Sequence, residues 1–343
     1  MTVITTLIII AVLILVHEWG HFITARRIGI PVHEFSLGFG YKLFSIEKDG
    51  VEYSLRLIPL GGFVRMAGEE PGDHSDPNGF SNRTPLEKIR VAFAGPFMNF
   101  VLAILIFIYI YTFIGVPHAS NEPVIGKVIV GKPAYEAGLR ENDLVLEANG
   151  DKVRTWEEFT KKIAATPEGA YLKLLIKRDG ELINIKVRPE KNETSGGPAI
   201  GVMSKLEYTK QNIFKSILIG LQQTYQLTLL LLAGLWTMIT GGASAADLAG
   251  PVGITRLVGE AAQVGTVFLL SFTAFLSINL GILNLLPIPA LDGSRIVFAI
   301  IEWIRKKPIE PDKEGFIHWL GFIFLMILII IVTYNDIVRL IRG

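Results

Sequence analysis

The chain has no cysteine in its 343 residues. That excludes a disulfide scaffold and any thiolate metal site, and it leaves the redox compartment open. Charge is also scarce. Only 19% of residues are charged against 50% hydrophobic, and the net charge is +1. Such a balance is too apolar for an ordinary soluble protein and fits a polytopic membrane protein with a soluble insert. It gives no basic surface for a nucleic acid partner. No internal repeat or low-complexity tract is evident. The first apolar run has no basic start and no clean small-residue cleavage site, so it reads as a membrane span rather than a signal peptide.

Four segments are predicted to span the bilayer, each long enough for a hydrocarbon core of ~30 Å. They lie within residues 1–28, 91–116, 261–305 and 315–340. Arg26, Arg27, Lys88 and Arg90 flank the 29–90 loop, and Lys306 and Lys307 flank the short loop before the last span. Positive-inside places both loops in the cytoplasm and residues 117–260 outside. Residues 213–240 carry no charge except Lys215, but Gln222, Gln223 and Gln226 interrupt them. The apolar positions Leu218, Leu221, Tyr225, Leu229, Leu232 and Trp236 follow helical spacing, as in an interfacial amphipathic helix. A fifth crossing is the alternative. Within 29–90, the β-rich run 35–66 turns at Lys48-Asp49-Gly50, a hairpin signal. Residues 121–192 hold short strands, a helix start at "PAYEAG" and an Asn149-Gly150 turn, the pattern of a small α+β module.

One stretch breaks the apolar rule. "LILVHEWGHFITARR", residues 13–27, places His17, Glu18 and His21 in the second half of the first span. Ionisable groups inside a span are costly and mark function. His17 and His21 are four residues apart, so one helix face presents both imidazoles to one metal, and Glu18 beside them can take a proton from water that the metal activates. Catalytic zinc wants three protein ligands. His33, His74 and His118 lie outside the spans, and His318 opens the last one. Asp292, the first charge met after Ala261, is the better third ligand. His17 lies ~24 Å along the first span, toward the cytoplasmic side. Asp292 reaches that depth only if 213–240 does not cross.

These residues resemble the site-2 proteases, intramembrane zinc metalloproteases, and within them the bacterial regulator of sigma-E protease branch. The matching motifs are "HEWGH" at 17–21, "GPFMN" at 95–99, "GPVGI" at 250–254 and "NLLPIPALDG" at 284–293. The resemblance implies His17, His21 and Asp292 as ligands of Zn2+ and Glu18 as the base. It implies Asn284 and Asn279 as hydrogen-bonding partners of substrate or oxyanion. Ser294 stands where many relatives have a second glycine, and there is room for one PDZ module where many carry two. The expected fold is a polytopic α-helical membrane protein with about four transmembrane helices, a membrane-associated β-hairpin region and an inserted extracytoplasmic PDZ-like α+β domain at 121–192. That domain would either capture peptide or act as a steric filter, since no carboxylate-binding loop precedes Val124. The expected partners are the lipid bilayer and single-span membrane proteins already cleaved on the outer side, such as anti-sigma factors or signal-peptide remnants. The expected location is a bacterial plasma membrane, with the active site toward the cytoplasm. An unwound substrate would pair with the β region, around Gly61 and Gly62, because backbone in lipid needs partners. A non-catalytic PDZ scaffold and a metal-gated transporter are the alternatives. A scaffold has no use for Glu18, and a transporter would show paired half-repeats.

Overall fold

A computed structural model describes residues 2–342 except 71, 168, 192–196 and 243–248. Met1 and Asn192, the expected outer limits of the first span and of the inserted module, lie outside the described residues. The chain runs α1 (Thr2–Ile28), β1 (Val32–Lys48), β2 (Val51–Met66), α2 (Pro85–Tyr109), β3 (Val116–Ala119), β4 (Ile125–Val128), α3 (Pro133–Glu136), β5 (Leu144–Ala148), β6 (Asp151–Lys152) and α4 (Trp156–Ala164). It continues through β7 (Leu172–Arg178), β8 (Glu181–Val187), β9 (Glu190–Lys191), β10 (Pro198–Ala199), β11 (Val202–Ser204), β12 (Leu206–Thr209), α5 (Ile213–Ile239), α6 (Pro251–Val264), α7 (Thr266–Leu285), α8 (Asp292–Arg305) and α9 (Pro311–Arg342). Contacts divide it into two units, residues 1–112 with 212–343, and residues 113–211.

In the first unit, α1, α2, α5, α7 and α9 are each long and apolar enough to cross a membrane. The α2 helix starts six residues before its expected position because Thr84 and Glu87 form a capping box with Pro85 in the first turn. Its charged first turn hid that start from hydropathy. The expected single helix over 261–305 is instead α6, α7 and α8. Gly265 (φ 139°) ends α6, and the segment Leu286–Leu291 between α7 and α8 is non-helical. Pro287 and Pro289 supply no backbone N–H there, so the helix cannot continue.

The α1 and α2 helices pack antiparallel. A Cβ on Gly20 would come 2.3 Å from the Ala94 carbonyl oxygen, so only glycine permits this approach. At the other end, Ile9 and Leu13 pack with Val258 and Leu276. A Cβ on Gly259 of α6 would lie 2.7 Å from Thr2, at the start of α1. Gly220, early in α5, faces Phe107 and Ile108 at the end of α2. The α9 helix returns to this end, where Asp336 accepts from the Gly253 N–H at 2.7 Å.

The β region is more than a hairpin. Asp49 (φ 52°) and Gly50 (φ 72°) make the expected tight turn. Both strands then bend, β1 at Gly38 (φ 94°) and Gly40 (φ 79°). Residues 34–37 thereby lie between 62–65 on one side and 52–55 on the other, and 52–56 pairs in turn with residues of 42–47. Glu34 pins the inner runs. It is buried and accepts from Ser54 Oγ at 2.6 Å and Arg56 Nη2 at 2.7 Å. Burial pushes its carboxyl up, and those two hydrogen bonds more than offset this, holding it below the usual carboxylate range. Tyr41, Leu43, Phe44, Ile46 and Leu57 are exposed on the far part.

The second unit extends past the expected boundary at residue 192. Its sheet has the order β6-β5-β7-β8, while β11 pairs with β4 and β12 with β3. Residues 198–209 are too short in each run to announce strands by alternation, yet they complete the unit. The segment Gly197–Gly201 leads into β11, and β11 has no second strand beside it among the described residues. Phe159, Leu172, Leu174 and Ile176 form the centre of the core. Asp143 is fully buried and accepts both from Arg178, at 2.7 Å for each of Nε and Nη2, and from the Arg140 N–H at 2.8 Å. Asp143→Ala removes the anion from that guanidinium, whose side chain is 17% exposed and which keeps, among the described residues, only its bond to the Gly138 carbonyl. The expected loss is about 2–3 kcal/mol, seen as roughly 100-fold faster amide exchange in β5 and β7. Exchange at the parent rate would mean the ion pair does not hold this core.

Candidate metal centre

His17 and His21 occupy one face of α1, one turn apart, and both are 7% exposed. Their Nε2 atoms are 3.2 Å apart. Asp292 Oδ2 lies 3.0 Å from His17 Nε2 and 3.3 Å from His21 Nε2. Three donor atoms thus form a nearly equilateral triangle. A tetrahedral zinc ion with bonds of about 2.0–2.1 Å has ligand-to-ligand edges of about 3.3–3.4 Å, so the triangle fits one ion with a position to spare. Asp292 Oδ2 is also buried without a hydrogen-bond partner. His21 Nδ1 lies 2.8 Å from the Val91 carbonyl oxygen, which can only accept. The ring proton therefore sits on Nδ1, and Nε2 presents a lone pair to the centre of the triangle.

The third corner depends on the helix break. With α7 ended and Ala290 in a left-handed conformation (φ 76°), the chain reverses and delivers Asp292 as the first residue of α8. A Cβ on Gly293 would come 2.2 Å from the Leu286 carbonyl oxygen, so this return is closed to larger residues. Ser294 Oγ donates to the Leu291 carbonyl at 2.7 Å and ties the turn. His318 supplies no corner. Its Nδ1 accepts from the Ala290 N–H at 3.2 Å, two residues before Asp292. Gly95 of α2 makes room for the His21 ring: a Cβ there would stand 2.2 Å from Nε2.

Glu18 is half-buried beside the histidines. A Cβ on Gly62 would touch Glu18 Cγ and Ile14 Cγ2 at 3.2 Å, so the edge run of the β region borders the site. Gly61 accommodates the Phe39 ring. Asn279 and Asn284 lie near the end of α7, half-buried, with no side-chain hydrogen bond among the described residues. Below the site, Arg295 pairs with Glu69 at 2.8 Å, and both line a cavity of about 780 Å³ with Met66, Ala290, Lys88 and His318.

Sequence reasoning missed the α2 side of the site. Asn99, fully buried, places Nδ2 3.1 Å from His17 Nδ1. The signal was present in "GPFMN". Gly95 and Asn99 are spaced by four, like His21 and His17 on the antiparallel neighbour.

Residues 5–328 match peptidase family M50. The regulator of sigma-W protease RasP of Bacillus subtilis is 34% identical over 419 residues, covering 99% of each chain. A putative zinc metalloprotease of Clostridium perfringens is 39% identical over 339 residues, covering 98% of this chain and 99% of its own. The probable protease eep of Enterococcus faecalis is 35% identical over 420 residues, covering 98% and 99%. Among solved structures, a PDZ domain of an SdrC-like protein from Listeria monocytogenes shares 22% identity with a TM-score of 0.23, covering 25% of this chain and 90% of its own.

Gly95→Ala tests whether the His21 ring stands where α2 leaves room for it. Alanine favours the helix itself by about 1 kcal/mol, yet its methyl overlaps the ring. Metal analysis should find purified Gly95→Ala deficient in zinc while circular dichroism keeps the parent helicity. A full complement of zinc would place the ring elsewhere.

Proposed function

The chain belongs to peptidase family M50, and from that premise we propose that it cleaves peptide bonds in or beside the membrane segment of single-span membrane proteins. It is a zinc metalloprotease of the site-2 class. The observation that carries the finer reading is the His17–His21–Asp292 triangle, two of whose corners sit in an otherwise apolar helix with Glu18 beside them. Zinc held there by His17, His21 and Asp292 would supply Lewis acidity to a water and to the scissile carbonyl. Glu18 takes the proton of the attacking water and returns it to the leaving nitrogen. Asn279 and Asn284, whose side chains have no hydrogen bond among the described residues, are the donors proposed for the substrate backbone or the developing oxyanion.

A membrane helix hides its carbonyls in its own hydrogen bonds, so hydrolysis requires local unwinding. An unwound segment in lipid must find other partners. The run 62–66 has one edge paired with 34–37 and no strand on its other edge among the described residues. That free edge, next to Glu18, is the proposed docking strand for substrate. The exposed apolar side chains of the far β region support its association with the membrane. A relative that carries the name regulator of sigma-W protease supports substrates of the anti-sigma type.

The proposed topology has residues 29–90 facing the cytoplasm in a bacterial plasma membrane. Two contacts support an interfacial α5. It starts beside Phe107 at the end of α2, and α6 sits beside Thr2 at the start of α1, which is the same end of the antiparallel pair. A crossing α5 of 27 residues spans about 40 Å. Its far end would then lie across the bilayer from the start of α6. The inserted unit, proposed to be PDZ-like and extracytoplasmic, binds peptide or filters by size.

Glu18→Gln should retain one zinc per chain and lose cleavage of a single-span model substrate by at least about 100-fold. Turnover at the parent rate would remove Glu18 from the mechanism. A reporter fused after residue 342 should lie outside the cytoplasm, and a cytoplasmic reporter would restore α5 as a crossing helix.

A further inference from the structure

The two histidines are held from behind in different ways. His21 Nδ1 meets a backbone carbonyl, Val91, which accepts and nothing else. His17 Nδ1 meets the side-chain amide of Asn99, which can donate or accept. Asn99 is 0% exposed, and Ser277 Oγ of α7 donates to its backbone carbonyl at 2.7 Å, a bond that does not involve the amide. The amide places Nδ2 toward His17, and its Oδ1 is buried with no partner among the described residues.

That orphan oxygen has a direct remedy. When His17 Nε2 is a ligand, the ring's proton must sit on Nδ1. Nδ1–H then faces Nδ2–H, donor against donor. A half-turn of the amide exchanges O for N with little change in shape. Oδ1 then accepts from His17 Nδ1–H, and the mismatch is gone. With the proton on Nε2 instead, Nδ1 accepts from Nδ2 as the amide now stands. A carbonyl, as at His21, serves one tautomer. A buried amide serves both.

We propose that Asn99 is a positioning residue that sets the tautomer of His17, its amide oxygen accepting from Nδ1–H when Nε2 is a metal ligand. The inference rests on the metal-centre reading. It gives both polar-facing positions of "GPFMN" a role, since Gly95 clears the His21 ring and Asn99 steers the His17 ring.

The test is metal affinity, measured by competition with a chelator, together with the visible spectrum of the cobalt-substituted protein. Wild type should bind one equivalent of metal. A wild type that binds none defeats the metal centre and this inference with it. Asn99→Leu removes the acceptor and should weaken binding about 10- to 100-fold and shift the cobalt bands. Asn99→Asp keeps the shape and offers only acceptors, so it should bind metal at least as tightly as wild type. Ser277→Ala breaks the helix–helix bond and leaves His17 untouched, and it should bind as wild type. The inference is overturned if Asn99→Leu binds as wild type, if Asn99→Asp binds as weakly as Asn99→Leu, or if Ser277→Ala weakens binding as much. Should Asn99→Leu fail to fold, the isosteric Asn99→Asp decides alone: tenfold weaker binding overturns the proposal.

Discussion

The rest of the structure depends on how closely α1 and α2 approach. Two glycines set that distance, Gly20 against the Ala94 carbonyl and Gly95 against the His21 ring. In lipid no hydrophobic drive pushes helices together, and small residues allow the contact that dispersion and polar bonds then hold. The approach brings the Val91 carbonyl and the Asn99 amide within hydrogen-bond range of the two imidazoles. It also places Pro96 and Phe100 against Gly281 of α7, the helix that leads to Asp292. A wider separation would leave three polar side chains unsatisfied in an apolar layer, where each is expensive.

The parts legible in the sequence were those whose signal is local. His17, Glu18 and His21 stood out because the surrounding run is apolar, and Asp292 because it ends another. The structure brings His17, His21 and Asp292 to one point. The Asp49-Gly50 turn was legible for the same local reason. Other parts were hidden because hydropathy ignores backbone direction. Residues 261–305 read as one apolar stretch, although Gly265 and the prolines at 287 and 289 divide it. That division also accounts for the apolar residues after Asp292, which form the separate amphipathic helix α8. The bends at Gly38 and Gly40 turn a two-stranded expectation into four adjoining runs. Strands β10 to β12 have only two to four residues each, and the pairing of β11 with β4 and of β12 with β3 depends on contacts far away in sequence.

His318 shows the difference between a candidate and its role. By residue type alone, any of the four histidines outside the motif could be a ligand. The structure sets His318 against the Ala290 N–H, on the outside of the turn that presents Asp292. With Gly321 packed on Pro289, α9 buttresses the proline segment from behind. Asp292 thus stands at the start of α8, and the non-helical segment that leads to it is packed against α9.

The edge beside Glu18 ends in two glycines, Gly61 and Gly62. Strand addition to such an edge is a main-chain transaction, and side-chain pockets normally supply its discrimination. Here the nearest positions have no side chains to form pockets. A protease that took its substrate on this edge, as proposed, would read backbone alone and be nearly blind to the letters of its target. Its choice would follow how readily a helix surrenders its hydrogen bonds, so residues that loosen helices would mark the scissile region in substrates that share no consensus.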